Sequence, residues 1–313
     1  MAEESDYNAL ADRATSTVVI EGVIFSLMFL TALAGNILVC LAFINNSTLR
    51  RSLNNYFIVS LAVSDILMAV LVEPLTFSAL VTGKWPFSDA ACHYHGVAMF
   101  ILGVVSLQTF MLISVNRYVK MVKSNILYKK VFKKNTVLLM IIFSWIIASI
   151  SLPIFLLTGN RFAFNSNRSI CYPVSSLPGR VFLHSTYALF IVIPQCIMFF
   201  CYFKVFRKIH DHNAQIANSA ASGNSEIASQ SYAREVRVTR MLFVTMVAFH
   251  LCWIPLYALE LAVLIRNDLD APRAVYITTT FTVSASSSIN PIIYAVMTKD
   301  FRDTFKRILF CTY

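Results

Sequence analysis

Three carboxylic acids, Asp65, Glu73 and Glu260, lie inside long apolar stretches of the sequence. A charged side chain at membrane depth is costly, so such acids usually mark a site that binds an ion or a ligand. Asp65 is accompanied at similar depth by uncharged polar residues, which are Asn36, Ser106, Ser286, Ser287 and Asn290. Carboxylate, hydroxyl and amide oxygens together suit a small hard cation such as Na⁺. The alternative is a hydrated network of hydrogen bonds that holds the helices together.

The other two acids lie closer to the ends of their stretches. Glu73 precedes Pro74, two turns outward from Asp65, and Glu260 lies near the outer end of its stretch. Either acid can attract a cationic group or simply reach water at the membrane interface. The sequence leaves both interpretations open.

A permanently charged residue, Arg117, follows the third apolar stretch in the run Asn116-Arg117-Tyr118. A guanidinium group at the rim of a membrane helix is costly unless something uses it. An intracellular partner can reach this position, so the run indicates transfer of a signal across the membrane.

The elements that hold these residues follow from composition. The chain has 313 residues, of which 13% are charged, and its mean hydropathy is +0.66, whereas soluble domains carry roughly 25% charged residues. Seven stretches are long enough to cross a bilayer: 18–45, 54–80, 92–115, 135–158, 182–206, 241–265 and 274–297. Backbone groups in lipid must be satisfied within the span, and the alternation of a barrel is absent. The sequence therefore predicts an all-α membrane protein, a seven-transmembrane helix bundle.

Basic residues orient the bundle. With the N-terminus outside, only seven of the 26 Lys and Arg fall on outer segments, as the positive-inside rule requires. We therefore expect an extracellular N-terminus (1–17), a receptor domain (18–297) and a cytoplasmic segment (298–313) in a multi-pass plasma-membrane protein. The excess of basic residues on the inner side suits contact with anionic lipid. Because these residues are divided among short loops, we expect no nucleic-acid partner.

Three shorter segments carry further predictions. In the tail, Phe301 and Phe305 share a helical face with Ile308 and Leu309, which predicts a short amphipathic cytoplasmic helix on the membrane. Residues 211–233 are rich in Asn, Ser, Ala and Gln, which predicts a flexible inner loop. Asn167 begins an Asn-Arg-Ser glycosylation sequence.

Two of the seven cysteines, Cys92 and Cys171, face the outer, oxidising side, so we expect them to form a disulfide. Cys311 follows the tail helix at the inner membrane surface. It is a candidate for palmitoylation, with a free thiol as the alternative.

Each apolar stretch contains at least one short motif, and the motifs follow one another in a definite order. They are Gly35-Asn36, Leu61-Ala62-Val63-Ser64-Asp65, Cys92 with Asn116-Arg117-Tyr118, Trp145, Pro194 with Tyr202, Phe249 with Cys252-Trp253-Ile254-Pro255, and Asn290-Pro291-Ile292-Ile293-Tyr294. In this order they resemble the class A (rhodopsin-like) G-protein-coupled receptors over nearly the whole chain. The resemblance implies a receptor that binds an extracellular ligand and activates a heterotrimeric G protein.

The resemblance also implies roles for single residues. Asp65, Ser106, Ser286 and Asn290 match an allosteric sodium site, and Cys92 and Cys171 match the family's disulfide. The residues that match the switch between inactive and active states are Asn116, Arg117, Tyr118, Tyr202, Glu235, Phe249, Trp253, Asn290, Pro291 and Tyr294. Among these, Arg117 matches the residue that binds the G-protein α-subunit, and Glu235 matches its ionic restraint. Asn116 departs from the usual Asp and cannot form a charged pair with Arg117.

The ligand pocket of such receptors lies above Trp253. By helical position its lining residues are Met99, Gly103, Tyr187, Phe190, Trp253, Tyr257, Glu260 and Thr280. Aromatic residues with few polar groups suit a small, largely apolar molecule, and a short peptide is the alternative. Several of these residues can also serve only to pack helix against helix.

The Asn-Arg-Tyr run and the basic residues after it resemble melatonin receptors, which would imply inhibitory coupling. Pro291 and Phe190 depart from that pattern. Amine receptors carry an acid where this chain has Met99, so a monoamine would lack its usual ion pair unless Glu73 or Glu260 replaced it.

Other classes of function fit the sequence less well. Opsins carry a lysine where this chain has Ser284, so we expect no retinal cofactor. We see no metal cluster or nucleophile–base spacing and expect no enzyme. A transporter or channel, the alternative from another class, would need a continuous polar path.

Overall fold

A computed structural model describes residues 13–157, 160–174, 185, 188–219, 226–266 and 271–310. The α-helices in these ranges are α1 (Thr15–Asn45), α2 (Ser47–Arg51), α3 (Leu53–Leu71), α4 (Glu73–Thr82), α5 (Asp89–Val122), α6 (Asn125–Val131), α7 (Lys134–Leu157), α8 (Ile193–Ser219), α9 (Glu226–Arg266), α10 (Arg273–Met297) and α11 (Lys299–Phe310). A hairpin of β1 (Arg161–Asn165) and β2 (Ile170–Val174) follows α7, and a π-helical turn at Ala188–Val192 precedes α8.

Large apolar side chains point away from the bundle. Leu27 is 61% exposed, Phe143 63% and Phe199 76%, which is unfavourable in water and favourable against lipid. By length and composition, five helical segments of the described chain can cross a membrane, and the bent pair of α6 and α7 supplies a sixth. Each of the seven stretches predicted from the sequence contains helix in its described part.

The seventh span, α10, has 25 residues but is not among the segments that are apolar enough to cross a membrane by this measure. Its polar side chains face the interior, where Thr279, Thr280, Ser286, Ser287, Ser288 and Asn290 are buried. Hydropathy alone therefore underrates this span, because its polarity serves the inside of the bundle.

Proline residues act differently in the second and seventh spans. The second span breaks at Val72, so that α4 starts at Glu73 with Pro74 in its first turn, where a missing backbone N–H costs little. Pro291 lies inside α10 and removes one helical hydrogen bond. A Cβ atom on Gly35 would lie 2.8 Å from the Pro291 ring, so α1 approaches α10 closely at this bend.

The segments that flank the bundle confirm one prediction and correct another. The tail forms the predicted amphipathic helix α11, in which Phe301 and Phe305 are buried and Leu309 is 64% exposed. The polar stretch 211–233 is not a loop throughout, because α8 continues to Ser219 and α9 begins at Glu226. The rings of His212 and Tyr232, 4.1 Å apart, join the two helix extensions there, a contact that composition does not reveal.

Candidate functional site

The β-hairpin is joined to the bundle at the end that we call the hairpin end. Cys171 in β2 forms a disulfide with Cys92 in the first turn of α5, as the sequence predicted. Phe164 lies opposite Cys171 in the antiparallel register. The bond fixes the hairpin beside α5, so the strands lie across one end of the helices.

A second point of attachment is the contact between Gly96 and Phe162. A Cβ atom on Gly96 would lie 2.1 Å from Cδ1 of Phe162, so only a residue without a side chain allows this approach of β1 to α5. Gly96→Ala is expected to displace the hairpin and destabilise the protein by roughly 1–3 kcal/mol, the usual effect of overpacking. Thermal unfolding of the detergent-purified protein measures this. Gly22→Ala is the matched control, because the nearest side-chain atom to its Cβ, on Val81, would lie 3.7 Å away. An equal loss of stability in both variants would contradict the prediction.

The turn of the hairpin is held by Arg168, which closes the hairpin end. Its Nη2 donates to Glu260 Oε1 of α9 at 2.6 Å, and its carbonyl oxygen accepts from the Thr280 hydroxyl of α10 at 2.8 Å. The guanidinium carbon lies 4.1 Å from the ring centroid of Tyr172. Arg168 therefore ties the hairpin to two helices. The sequence analysis missed this role, although Arg168 stands inside the predicted glycosylation sequence; glycosylation at Asn167 stays a prediction.

Below the hairpin, Trp253 forms the floor of the predicted ligand pocket. Its Nε1 donates to the Ser286 hydroxyl at 3.3 Å, and its ring centroid lies 5.4 Å from that of Phe249 and 5.9 Å from that of Tyr257. A Cβ atom on Gly103 would lie 3.1 Å from the Trp253 ring. The predicted switch pair and two predicted lining residues therefore meet here.

The remaining predicted lining residues have other surroundings. Glu260 and Thr280 bind Arg168, as described above, and Phe190 packs with Val104, Val105 and Ala148 between the helices. Met99 is half-buried on α5. Tyr187 and the palmitoylation candidate Cys311 lie outside the described residues.

Midway along the bundle, Asp65 is held by two donors from α10. The Ser287 hydroxyl donates to Oδ1 at 2.8 Å and the Asn290 amide donates to Oδ2 at 2.9 Å. Of the residues predicted for a sodium site, Asp65 and Asn290 therefore meet. Ser106 instead shares a hydrogen bond of 3.0 Å with Ser64, and Ser286 binds Trp253.

The oxygens of this network fit a small cation. Asn290 Oδ1 and Asn36 Oδ1 are buried and have no hydrogen-bond partner, and Asn36 is bonded to the Ser287 carbonyl in the same network at 3.0 Å. Orphaned amide oxygens beside a carboxylate are suitable ligands for Na⁺. The described residues contain no group of three or more His, Cys, Asp or Glu that would suit a transition metal.

At the opposite end, which we call the Arg117 end, the Arg117 side chain is 1% exposed and both terminal nitrogens of its guanidinium group donate hydrogen bonds. Its Nη1 donates to Glu235 Oε2 at 2.9 Å, and its Nη2 donates to Asn116 Oδ1 at 2.9 Å and to Asn54 Oδ1. Asn54 was not predicted. It supplies, from α3, part of the acceptor capacity that an acidic residue at position 116 would give.

The tyrosines predicted to rearrange around Arg117 are buried but not yet engaged. The hydroxyls of Tyr202 and Tyr294 have no partner within hydrogen-bond distance. Tyr118 lies against α8, with its ring centroid 5.8 Å from that of Phe200.

Beside Arg117 a cavity of about 410 Å³ opens between the helix ends. Its lining includes Asn54, Glu235, Met241 and Phe301. Asn54 and Glu235 are two of the three acceptors of the guanidinium group. A partner inserted into the cavity would therefore contact Arg117 with its three acceptors, which we call the Arg117 cage.

Comparison with known proteins agrees with this architecture. The model of the family described as 7 transmembrane receptor (rhodopsin family) matches residues 35–294. The D(1A) dopamine receptor of Xenopus laevis is 31% identical over 96% of this chain and 75% of that receptor. The histamine H2 receptor of Cavia porcellus is 30% identical over 92% of this chain and 79% of its own. Neither is a melatonin receptor, so the predicted melatonin-like character is not confirmed.

The structure of squid rhodopsin superposes with a TM-score of 0.82 at 23% sequence identity, over 96% of this chain and 89% of that one. This confirms the seven-helix fold.

Proposed function

Because this chain belongs to the rhodopsin family of seven-transmembrane receptors, we propose that it binds an extracellular small molecule and in response activates a heterotrimeric G protein. The observation that supports this most is the Arg117 cage. A buried cation is held by Glu235 and Asn54 beside a cavity at one end of the bundle. A partner that competes for the guanidinium group would stabilise a different helix arrangement, which is how binding shifts a two-state protein.

The hairpin end is the ligand-binding face in this proposal. The disulfide and the basic residues at the other end support an extracellular position for the hairpin. Arg168 ties the hairpin to Glu260 of α9 and Thr280 of α10, the helices that carry Trp253 and its partner Ser286. A ligand site beneath the hairpin with the Trp253 ring as its floor would suit a small molecule better than a short peptide.

The hydrogen-bond network around Asp65 supports an allosteric role for sodium. Asp65, Ser287 and Asn290 would hold the ion, with Asn36 in the same network. The ion would supply a positive charge that offsets the Asp65 carboxylate and stabilises the resting packing of α3 against α10.

Inhibitory coupling is the finer hypothesis that the melatonin resemblance implies, and the dopamine and histamine relatives do not add support for it. A transporter or channel is less well supported. Ion pairs cross the bundle near both of its ends, Arg168 with Glu260 and Arg117 with Glu235.

The test of the proposed function is nucleotide exchange on a panel of purified Gα subunits by the receptor in lipid nanodiscs. Arg117→Ala is expected to reduce exchange by about 100-fold or more, because a central, fully desolvated contact dominates a protein interface. Lys129→Ala, which removes an exposed basic residue from α6, is the matched control and is expected to change exchange little. A receptor that activates no Gα subunit, or an Arg117→Ala variant with full activity, would overturn the proposal.

A further inference from the structure

Glu73 is a buried acid for which the structure supplies no partner. Glu73 is 2% exposed, and neither of its carboxylate oxygens has a hydrogen-bond partner among the described residues. The other two acids that the sequence singled out are both satisfied, because Asp65 accepts from Ser287 and Asn290 and Glu260 pairs with Arg168. An unpartnered carboxyl group in an apolar surrounding is costly, so its retention requires a reason.

The break in the second span decides where this acid points. The helix ends at Leu71 and restarts at Glu73, whose carboxyl group lies near the Ser284 side chain of α10. Ser284 is one helical turn from Thr280, which binds the hairpin turn, and two residues from Ser286, which binds Trp253. Glu73 therefore lies at the depth of the pocket, between its cover and its floor.

The described residues offer no positive charge to this carboxyl group. Among the described residues, no Lys, Arg or His nitrogen lies within ion-pair distance of Glu73. The imidazole of His95 is directed to the Thr76 hydroxyl, one turn further along α4, at 2.9 Å. A cation that binds beside Glu73 would therefore complete the site.

We propose that Glu73 is the anchor for the positively charged group of the ligand, and that the ligand is a protonated amine. This rests on the proposed receptor function and names the chemical class of its ligand. A buried carboxylate and a cationic group satisfy each other only when both are desolvated together and hydrogen-bonded. The Ser284 hydroxyl, on the facing helix, supplies an oxygen for the ammonium N–H groups that the carboxylate does not accept.

The structure also distinguishes between the two acids that the sequence left as candidates. The Glu260 carboxylate is 28% exposed and is already neutralised by Arg168 at 2.6 Å. An amine that binds Glu260 would have to break that ion pair, whereas an amine that binds Glu73 would break no ion pair of the described residues. Met99 has no charge with which to compete.

The test uses the full-length receptor and a panel of protonated amines, namely dopamine, histamine and octopamine, each compared with its neutral N-acetyl derivative. We expect at least one amine, and none of the N-acetyl compounds, to stimulate Gα nucleotide exchange. In Glu73→Gln the potency of that amine is expected to fall by about 100-fold, since the loss of one member of a buried charge pair lowers binding affinity by roughly two tenfold steps.

Two matched variants and a stability measurement isolate the role of the charge. Glu21→Gln removes an acid that is paired with Arg13 and Arg273 on α1, and it is expected to leave amine potency within about threefold. Glu73→Gln is expected to raise the unfolding temperature of the amine-free receptor by roughly a few degrees, because a neutral amide is less costly to bury than an unpartnered carboxylate. A purely structural carboxylate would give the opposite sign.

Several results would overturn the inference. They are full amine potency in Glu73→Gln, loss of potency in Glu260→Gln alone, equal stimulation by an N-acetyl compound, or no stimulation by any amine of a receptor that activates Gα in the Glu235→Ala variant. The last result separates the two proposals, because the receptor function would stand while the amine assignment failed. Absence of nucleotide exchange in every variant would instead remove the receptor function itself.

Discussion

Replacing Glu235 by alanine is expected to raise nucleotide exchange in the absence of ligand by about tenfold. Glu235 is the only charged acceptor that the described residues offer to the Arg117 guanidinium group, because Asn54 and Asn116 are neutral. Breaking a buried ion pair from one side costs roughly 3–5 kcal/mol. Since the Glu235 side chain is 34% exposed, solvent reduces this to about 1.4 kcal/mol, which is one tenfold step.

The measurement is ligand-free GTPγS binding to Gα at matched surface expression of the receptor. Asp211→Asn is the matched control, because it removes an exposed pair with His210 on α8 that lies outside the cavity beside Arg117, and the Asp211 side chain is 56% exposed. An exposed pair contributes little, so this variant should retain the basal activity of the parent. Unchanged basal activity in Glu235→Ala would show that the ion pair does not restrain the receptor.

Removing the disulfide with Cys92→Ser and Cys171→Ser is expected to abolish the ligand response and to destabilise the protein by roughly 2–5 kcal/mol. The bond joins residues 79 positions apart in the sequence, and it holds the strand that leads into the Arg168 turn. Without it the hairpin loses its link to α5, so Arg168 no longer remains over the pocket.

Thermal unfolding and agonist-stimulated exchange measure the two effects. Combining the disulfide-free variant with Glu235→Ala separates them, because exchange without ligand should persist while the response to ligand is lost. Cys196→Ser, which changes an exposed free cysteine on α8, is the control and should behave as the parent. A disulfide-free receptor with normal agonist potency would contradict the covering role of the hairpin.

The sequence predicted the spans because hydropathy over some twenty residues reflects the solvent, and lipid allows few alternatives. It also predicted the Cys92–Cys171 bond, the tail helix and the pairing of Arg117 with Glu235, since the motifs fix helical position within a known bundle. It could not predict that Asn54 would share the guanidinium group, because that contact depends on how closely α3 approaches α5. The same limit applied to Arg168, whose partners come from α9 and α10.

The polar residues at mid-depth show the division most clearly. Residue type and spacing alone determined that this chain buries acids and amides in a seven-helix membrane bundle with a cation at its rim. Only the tertiary structure decided which of them are satisfied: Asp65 by Ser287 and Asn290, Glu260 by Arg168, and Glu73 by no described residue. The physical reason is that burial depends on local composition, whereas pairing depends on atoms within about 3 Å of each other, which come from helices far apart in the sequence.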